Sequence, residues 1–362
     1  MASMKEVFIY PDLHITIDDA PIPVPGDNDI IVKIVVAGAN PIDWKAADEK
    51  VAQLIHGDLK APLHRNAGKD FAGYVHAVGS KVLNFKVGDR VIALNHSSGF
   101  AEYGVGPAHT TAHIPDNVTF EEAATTGLAY TTAALGLFKH LRFKGPWAPS
   151  KVKTPLLVYG ASSATGAFTV KLAALANIHP IIAIAGKSGD IVSSILEPSK
   201  GDILLDYRIG KDALAQEVRK SAPELHYVVD SISNNDTVDM LSPLLAREES
   251  SYVFMLGGPH QERLPAYIKA ETPFAPGLWE PTDPASPDGP EGLNIAPKAF
   301  THAFFSYMTF ALQEGLLKGH PYEVLPNGLA SIGDGMVGLR DGKNSGNKYL
   351  FRIADTPGLG SK

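Results

Sequence analysis

One stretch, residues 154–176, limits what this chain can fold into more than any other. It reads TPLLVYGASSATGAFTVKLAALA, an apolar run that gives way to small residues and then resumes with helical spacing. This pattern predicts a buried strand, a tight turn and a helix. The small residues of the turn, 160–166, leave backbone N–H groups and a helix N-terminus open to an anion such as a diphosphate. The motif is weak alone, because Ala161 and Ala164 reduce its glycine repeat.

Short β-rich runs follow this stretch about 25 residues apart, with helix-length segments between them. Such alternation predicts an α/β fold with a doubly wound parallel sheet, which binds ligands at the carboxyl ends of its strands. We therefore predict a nucleotide-binding domain; the alternative is a doubly wound domain that uses the same turn for another anion. The predicted strands are residues 181–185, 203–206, 227–230 and 252–256, and the predicted helices are residues 190–196, 212–221 and 235–246.

Composition excludes several classes of protein. The chain has 362 residues, 44% of them hydrophobic and 20% charged, as in a soluble protein of two domains. No apolar run approaches the roughly 20 residues of a bilayer helix, and the N-terminus lacks the apolar core of a signal peptide, so we expect a cytoplasmic protein without a membrane partner. A net charge of −7 argues against nucleic acid. The absence of cysteine excludes thiolate metal ligands, and we predict no metal site.

The N-terminal third of the chain has a different sequence pattern. Residues 7–119 are rich in β-type runs, prolines and glycine turns, which predicts a small barrel-like domain. Within it the run NPIDWK, residues 40–45, carries an amide, a carboxylate and an amine, although a capped turn would explain it equally well. The run NAGKDFAG, residues 66–73, is predicted to be a second structural turn. Predicted strands are residues 30–36 and 71–78, and residues 88–93 are predicted to be a turn that leads into a third strand. Residues 121–143 are predicted to form a connecting helix.

A long stretch of low periodicity, residues 265–292, is predicted to be a loop. Phe274, Leu278 and Trp279 give it more apolar weight than disordered linkers carry, so we predict a substrate-pocket or subunit-interface loop. Residues 298–318 are predicted to form an amphipathic helix and residues 345–353 a terminal strand.

Taken in order, these motifs resemble one family. A β-rich domain with NPxDxK, GxD[FY]AG and VGDRV, followed by a sheet domain that opens with YGASSAT, resembles the medium-chain dehydrogenase/reductase superfamily. Within it, residues 159–165, 206–208 and 345–348 and the tryptophan-bearing loop are similar to the fungal trans-acting enoyl reductases of polyketide synthesis, the lovastatin enoyl reductase type. The resemblance implies a GroES-like domain of residues 1–123 plus 300–362, with a Rossmann domain of residues 124–299 inserted in it.

The resemblance also implies a zinc-independent site, because Asn40 and the Gly-Lys-Asp of residues 68–70 stand where zinc dehydrogenases have cysteine and Gly-His-Glu. Lys45 matches the lysine of the family motif, beside the nicotinamide ribose and the substrate carbonyl, where it would stabilise an enolate or orient the cofactor. Lys187 and Ser188 replace the usual acidic residue and favour the 2′-phosphate of NADPH. The implied cofactor contacts are Ser162, Ser163, Ala164, Thr165, Lys187, Ser188, Tyr207, Met255, Leu256, Asn347 and Lys348, and Thr131, Phe274, Leu278 and Trp279 are assigned to the substrate.

The prediction for the whole chain is an NADPH-dependent reductase of an activated carbon–carbon double bond, acting on a small-molecule or carrier-bound acyl substrate, with a polyketide synthase as partner. Redirection of the same scaffold to double-bond isomerisation stays open. Two alternatives stand beside it: a soluble quinone or α,β-unsaturated ketone reductase, and a cofactor-binding protein without turnover. The protein would be a monomer or a homodimer.

Overall fold

The computed structural model describes residues 3–45, 47, 66–255, 259–273, 275–279 and 297–359. The chain divides into two compact units: Met1–Leu128 with Pro276–Lys362, and Ala129–Ala275. The resemblance implied that the second unit ends at residue 299, but in the structure it ends at Ala275, because the segment that follows packs in the first unit. There Leu278 is buried, and its carbonyl oxygen is 3.1 Å from Nε2 of His109.

The secondary structure is β-rich in the first unit and alternates between strand and helix in the second. The strands of the described residues are β1 (Ser3–Ile9), β2 (Ile15–Pro21), β3 (Asp29–Gly38), β4 (Asp70–Val78), β5 (Arg90–Leu94), β6 (Tyr103–Pro107), β7 (Thr111–His113), β8 (Leu156–Tyr159), β9 (Ile181–Ala185), β10 (Ile203–Asp206), β11 (Tyr227–Asp230), β12 (Ser250–Phe254), β13 (Ile268–Glu271), β14 (Tyr322–Leu325) and β15 (Lys348–Arg352). The α-helices are α1 (Pro41–Lys45), α2 (Phe120–Ala124), α3 (Gly127–Ala134), α4 (Ala164–Leu175), α5 (Asp190–Ser193), α6 (Lys211–Ser221), α7 (Asn235–Leu241), α8 (Pro297–Gln313) and α9 (Ile332–Arg340).

The second unit contains a parallel sheet of six strands in the order β10-β9-β8-β11-β12-β13. Every residue of β9 is buried, as expected for a strand covered on both faces. The order reverses beside β8, which has β9 on one side and β11 on the other. In such sheets the crevice at the carboxyl ends of the strands next to the reversal is where ligands bind. The predicted doubly wound α/β fold is confirmed.

One strand of this sheet lies where the sequence predicted a loop. β13 pairs in parallel with β12, and Ile268 is its buried residue. A strand with a single buried apolar residue gives neither an alternating pattern nor an apolar run, so the loop prediction was wrong at residues 268–271.

The first unit contains a sheet of seven strands in the order β14-β15-β3-β4-β5-β7, with β6 paired to β3, and a separate β1–β2 pair. The C-terminal strand β15 is antiparallel to β3, so the two ends of the chain share one sheet. Its core includes Phe100 and Phe351, both fully buried, whose ring centroids lie 5.8 Å apart in an edge-to-face arrangement.

The connecting helix predicted over residues 121–143 is divided into α2, α3 and a π-helix over Leu135–His140. The hydroxyls of Thr125 and Thr126 donate to backbone carbonyl oxygens of the preceding turn, at 2.6 and 2.7 Å, which is how threonine competes with helix continuation. α8 ends at Gln313 rather than at residue 318, because Gly315 has a φ of +68°. No helix in the described part of the chain has both the length and the apolarity to cross a membrane.

The tight turn after β8 leads to a first prediction. A Cβ on Gly166 would lie 2.2 Å from the carbonyl oxygen of Gly160, so the backbone would have to move. Gly166→Ala should therefore lower the free energy of unfolding by about 1–3 kcal/mol. Gly189→Ala is the control, because its Cβ would lie 3.2 Å from the end of the exposed Leu204 side chain and 3.4 Å from the carbonyl oxygen of Gly186, so no backbone clash of the Gly166 kind arises. Urea unfolding of both variants tests this, and equal stabilities would contradict it.

Candidate functional site

The turn that joins β8 to α4 has the geometry of an anion cradle. Gly160 has a φ of +68°, a conformation that side-chain-bearing residues rarely adopt. Ser163 caps α4, since its Oγ accepts a hydrogen bond from the N–H of Gly166 at 3.1 Å. Residues 162–165 are all partly exposed and lie at the start of a helix of 12 residues, where the first backbone N–H groups have no partner within the helix and can bind an anion. The residues assigned to the diphosphate are Ser162, Ser163, Ala164 and Thr165, and their contact with it stays a prediction.

The ends of β9 and β10 lie side by side, because Ala185 and Asp206 are paired in register. A Cβ on Gly186 would be 2.7 Å from Cε1 of Tyr207, so the tyrosine ring lies directly against this glycine. Lys187, the next residue, is exposed. The structure thus places Lys187, Ser188 and Tyr207 at one edge of the sheet. Their contact with the adenosine side of a dinucleotide stays a prediction.

Asp206, the last residue of β10, is an acidic side chain near this edge, and its carboxylate forms an ion pair with Arg208. Nε of Arg208 lies 2.8 and 3.0 Å from the two carboxylate oxygens of Asp206, and a second guanidinium nitrogen binds the same carboxylate. These hydrogen bonds lower the pKa of Asp206 to about 2. This carboxylate is therefore already paired, while Lys187 presents a positive charge.

Met255 directly follows β12, and its N–H donates to the carbonyl oxygen of Asp230 at 3.0 Å. Its side chain packs toward Gly136, on which a Cβ would be 2.9 Å from the Met255 methyl carbon. Thr131 is buried in α3. Leu256 and Phe274, assigned to the nicotinamide and to the substrate, lie outside the described residues.

In the first unit, α1 carries the NPIDWK motif and its lysine. The backbone N–H of Asn40 donates to Oδ2 of Asp43 at 2.7 Å, so the third helical residue reaches back to the residue before the helix. The capped turn is therefore present. Lys45, at the end of α1, lies over the Trp44 ring at 5.6 Å from its centroid, and burial lowers the pKa of its amine. Within the described ranges no carboxylate pairs with Lys45.

Behind α1 lies a buried ion pair that the sequence did not indicate. Nζ of Lys348 binds the carboxylate of Asp70, and the two side chains are almost completely buried. Asn40 completes the cluster: its Oδ1 accepts from Lys348 at 2.9 Å and its Nδ2 donates to Asp70 at 3.0 Å. The other Asp70 oxygen accepts from the N–H of Leu128 at 2.8 Å, at the start of α3. Asp70 thus fixes Asn40, Lys348 and the beginning of α3 together.

A second buried carboxylate lies beside this cluster. Asp43 is fully buried and 3.3 Å from Nζ of Lys69, which also donates to the carbonyl oxygen of Ala67. Burial raises the pKa of Asp43 to about 6, against the opposing effect of Lys69. The Gly-Lys-Asp turn predicted as structural therefore supplies one partner to each of two buried acid–base pairs.

Lys348 therefore has a structural role in the first unit, which its assignment as a cofactor contact did not predict. Its ammonium is engaged by Asn40 and Asp70. Asn347 is half-buried in the preceding turn, where its carbonyl oxygen accepts from Nδ2 of Asn344 at 2.8 Å. A cofactor contact by Asn347 or Lys348 stays a prediction.

The aromatic loop packs against histidines of the first unit. Trp279 lies against His96 with ring centroids 4.1 Å apart, and its indole nitrogen is buried without a hydrogen-bond partner in the described structure. Leu278 is buried rather than open to a ligand. Contact of either residue with substrate stays a prediction.

Histidines do not form a metal centre in the described part of the chain. His109 and His113 are four residues apart, a spacing that suits two metal ligands on a helix, but His113 is in β7 and each ring binds a backbone carbonyl oxygen. No group of three or more His, Cys, Asp or Glu side chains that could hold a metal occurs among the described residues.

The Asp70 cluster yields a stability prediction. Lys348→Met leaves a buried carboxylate without its cation, which should cost about 3–5 kcal/mol of unfolding free energy. The double variant Lys348→Met/Asp70→Asn removes both charges and should recover a large part of that loss. Arg263→Met, which breaks an exposed pair with Asp239, is the control and should change stability little. Urea unfolding measures all three; a double variant no more stable than the single one would contradict the pairing.

The fold and these sites can be compared with known proteins. The family model described as the alcohol dehydrogenase GroES-like domain matches residues 26–116. The trans-enoyl reductase fsr4 of Gibberella fujikuroi is 35% identical over 333 residues, 90% of this chain and 91% of that protein. The trans-enoyl reductase buaC of Petromyces alliaceus is 31% identical, with 92% of each chain covered.

The solved structure of CurK enoyl reductase has the same fold, with a TM-score of 0.72 at 19% identity over 96% of this chain and 98% of that chain. Two relatives above 30% identity that span nearly the whole chain, and the order of motifs along it, agree with this fold. The chain therefore belongs to the medium-chain dehydrogenase/reductase superfamily and, within it, to the fungal trans-enoyl reductases.

Proposed function

We propose that this protein is an NADPH-dependent, zinc-independent enoyl reductase that acts in trans on an acyl chain carried by a polyketide synthase. The observation that carries the reaction class is the similarity to trans-enoyl reductases over about nine tenths of the chain. The residues of the candidate site support the choice of cofactor, and the Lys45 ammonium supports stabilisation of negative charge on the substrate.

The residues of the second unit fit a dinucleotide. Gly160 has a positive φ, and a Cβ on Gly166 would clash with the backbone of Gly160, so both positions need glycine. A turn without side chains at these positions lets backbone N–H groups approach a diphosphate. The same edge of the sheet offers the Tyr207 ring and the exposed Lys187 to an adenosine. NADPH, when bound, supplies the hydride for reduction of the double bond.

The choice of NADPH over NADH follows from charge at the end of β9. An NAD-specific site has a carboxylate there to accept hydrogen bonds from the ribose hydroxyls. Here the positions are Gly186, Lys187 and Ser188, and the neighbouring Asp206 is already bound by Arg208. A 2′-phosphate would meet a cation and a hydroxyl, and no unpaired carboxylate from Asp206 would repel it.

Lys45 is proposed to stabilise the charge that develops on the substrate. Addition of hydride to the β-carbon of an α,β-unsaturated thioester moves an electron pair onto the thioester oxygen. A half-buried ammonium is less screened by water than an exposed one and stabilises such an oxyanion more strongly. The proton that completes the reaction at the α-carbon comes from water.

The test of the proposed function is NADPH consumption with three acceptors, an enoyl thioester, a quinone and an α,β-unsaturated ketone, and in a control without acceptor. We expect turnover that is fastest with the enoyl thioester and absent without acceptor. Faster reduction of the quinone or the ketone would favour a general reductase, and nucleotide binding without reduction of any acceptor would indicate a non-catalytic protein; each result would overturn the proposal.

Cofactor preference is testable at Lys187. A hydrogen bond from an ammonium to the 2′-phosphate should favour NADPH over NADH by roughly 10- to 100-fold. Lys187→Ala should narrow that ratio by weakening NADPH binding and leaving NADH binding unchanged. Lys153→Ala, an exposed lysine before the amino end of β8, is the control. Equal affinities of the wild-type protein for the two nucleotides, measured by fluorescence titration, would refute the assignment.

The role of Lys45 is testable by separating binding from turnover. If Lys45 stabilises the enolate, Lys45→Ala should lower single-turnover reduction of an enoyl thioester by about 100- to 1000-fold, with NADPH affinity within a few-fold of wild type. A joint fall in affinity and turnover would indicate that Lys45 only orients the cofactor. Lys33→Ala, an exposed lysine on β3, is the control, and a fully active Lys45→Ala variant would remove Lys45 from the active site.

A further inference from the structure

Ser231 lies at the carboxyl end of β11 in the second unit and is not among the residues assigned to the cofactor from the sequence. It follows β11 directly, and its N–H donates to the carbonyl oxygen of Tyr159 at 3.0 Å, one residue beyond the β11–β8 pairing. This brings it beside the glycine turn: a Cβ on Gly160 would be 3.5 Å from Cβ of Ser231 and 2.9 Å from the Ile232 side chain. Ser231 therefore borders the anion cradle.

The backbone around Ser231 is fixed by the buried carboxylate of Asp230. One oxygen accepts from the N–H groups of Ile232 and Ser233, each at 2.9 Å. The other accepts from the hydroxyl of Tyr252 at 2.8 Å and from that of Thr237. Four donors on a fully buried carboxylate hold residues 231–233 in one conformation before any ligand arrives.

The Ser231 hydroxyl does not take part in this hydrogen-bond network. Its Oγ is buried and has no hydrogen-bond partner in the structure described for this chain. The nearby Ser233 hydroxyl, in contrast, donates to the carbonyl oxygen of Asp230 at 2.7 Å. A buried polar atom without a partner is unfavourable, and in a native protein it calls for an explanation such as a missing ligand.

We propose that Ser231 is a further cofactor-binding residue, whose hydroxyl donates a hydrogen bond to an oxygen of the diphosphate, or of the ribose next to it, in the bound dinucleotide. The hydrogen bonds to Asp230 hold the loop before a ligand binds, and Ser231 lies next to Gly160 in the turn to which the diphosphate is assigned. This inference rests on the proposed dinucleotide binding but not on the proposed reaction.

The variant Ser231→Ala tests the inference with two measurements. In the absence of nucleotide it should be as stable to heat as the wild-type protein or more so, because it removes an unpartnered hydroxyl. Its affinity for NADPH and for NADH should fall by the same factor, about 5- to 50-fold, because both nucleotides share the diphosphate and its riboses. The control is Ser193→Ala, because the exposed Ser193 hydroxyl donates to the carbonyl oxygen of Asp190 within α5, at 3.1 Å.

Affinities of Ser231→Ala within twofold of the control would overturn the inference. So would a large loss of stability without nucleotide, because Ser231 would then be a structural residue. If wild-type protein binds neither nucleotide, this inference and the proposed function fail together. If it binds them, loses affinity on Ser231→Ala, and reduces no enoyl thioester, the inference stands and only the proposed reaction fails.

Discussion

The buried carboxylate of Asp70 links three distant parts of the first unit. Asp70 is completely buried, and a charge in that position is tolerated only when it is paired and hydrogen-bonded. Its partners come from three distant parts of the chain: Asn40 before α1, Leu128 at the start of α3, and Lys348 on β15. This requirement gives a physical reason for the C-terminal strand to complete the N-terminal sheet, because that strand carries the lysine that pairs with Asp70.

The second unit uses a buried carboxylate in a different way. Asp230 is also fully buried, but its donors are two backbone N–H groups and two hydroxyls rather than a lysine. The result is again a fixed loop at the edge of a sheet. In both units, therefore, a buried acidic side chain holds a segment that carries candidate site residues, so that binding does not have to order it.

The sequence predicted the elements that repeat a pattern. The strands β9, β10 and β11 agree with the predicted runs to the residue, because each is a short run of mostly apolar residues. It failed at β13, where Ile268 is the one buried residue, and at α2 and α3, where threonine hydroxyls end a helix whose apolar spacing continues. The Asp70 cluster was beyond reach, because its partners lie 30, 58 and 278 residues away in sequence and local pattern carries no information about such pairs.

The proposed reaction delivers hydride from NADPH to the β-carbon of an enoyl thioester. The most direct test uses NADPH deuterated at C4 of the nicotinamide, on each face in turn, with mass spectrometry and NMR of the thioester product. We expect one deuterium at the β-carbon for each NADPH consumed, from one face only, and a solvent-derived proton at the α-carbon. A product without deuterium, whether the double bond is intact or has only moved along the chain, would contradict the proposed hydride transfer.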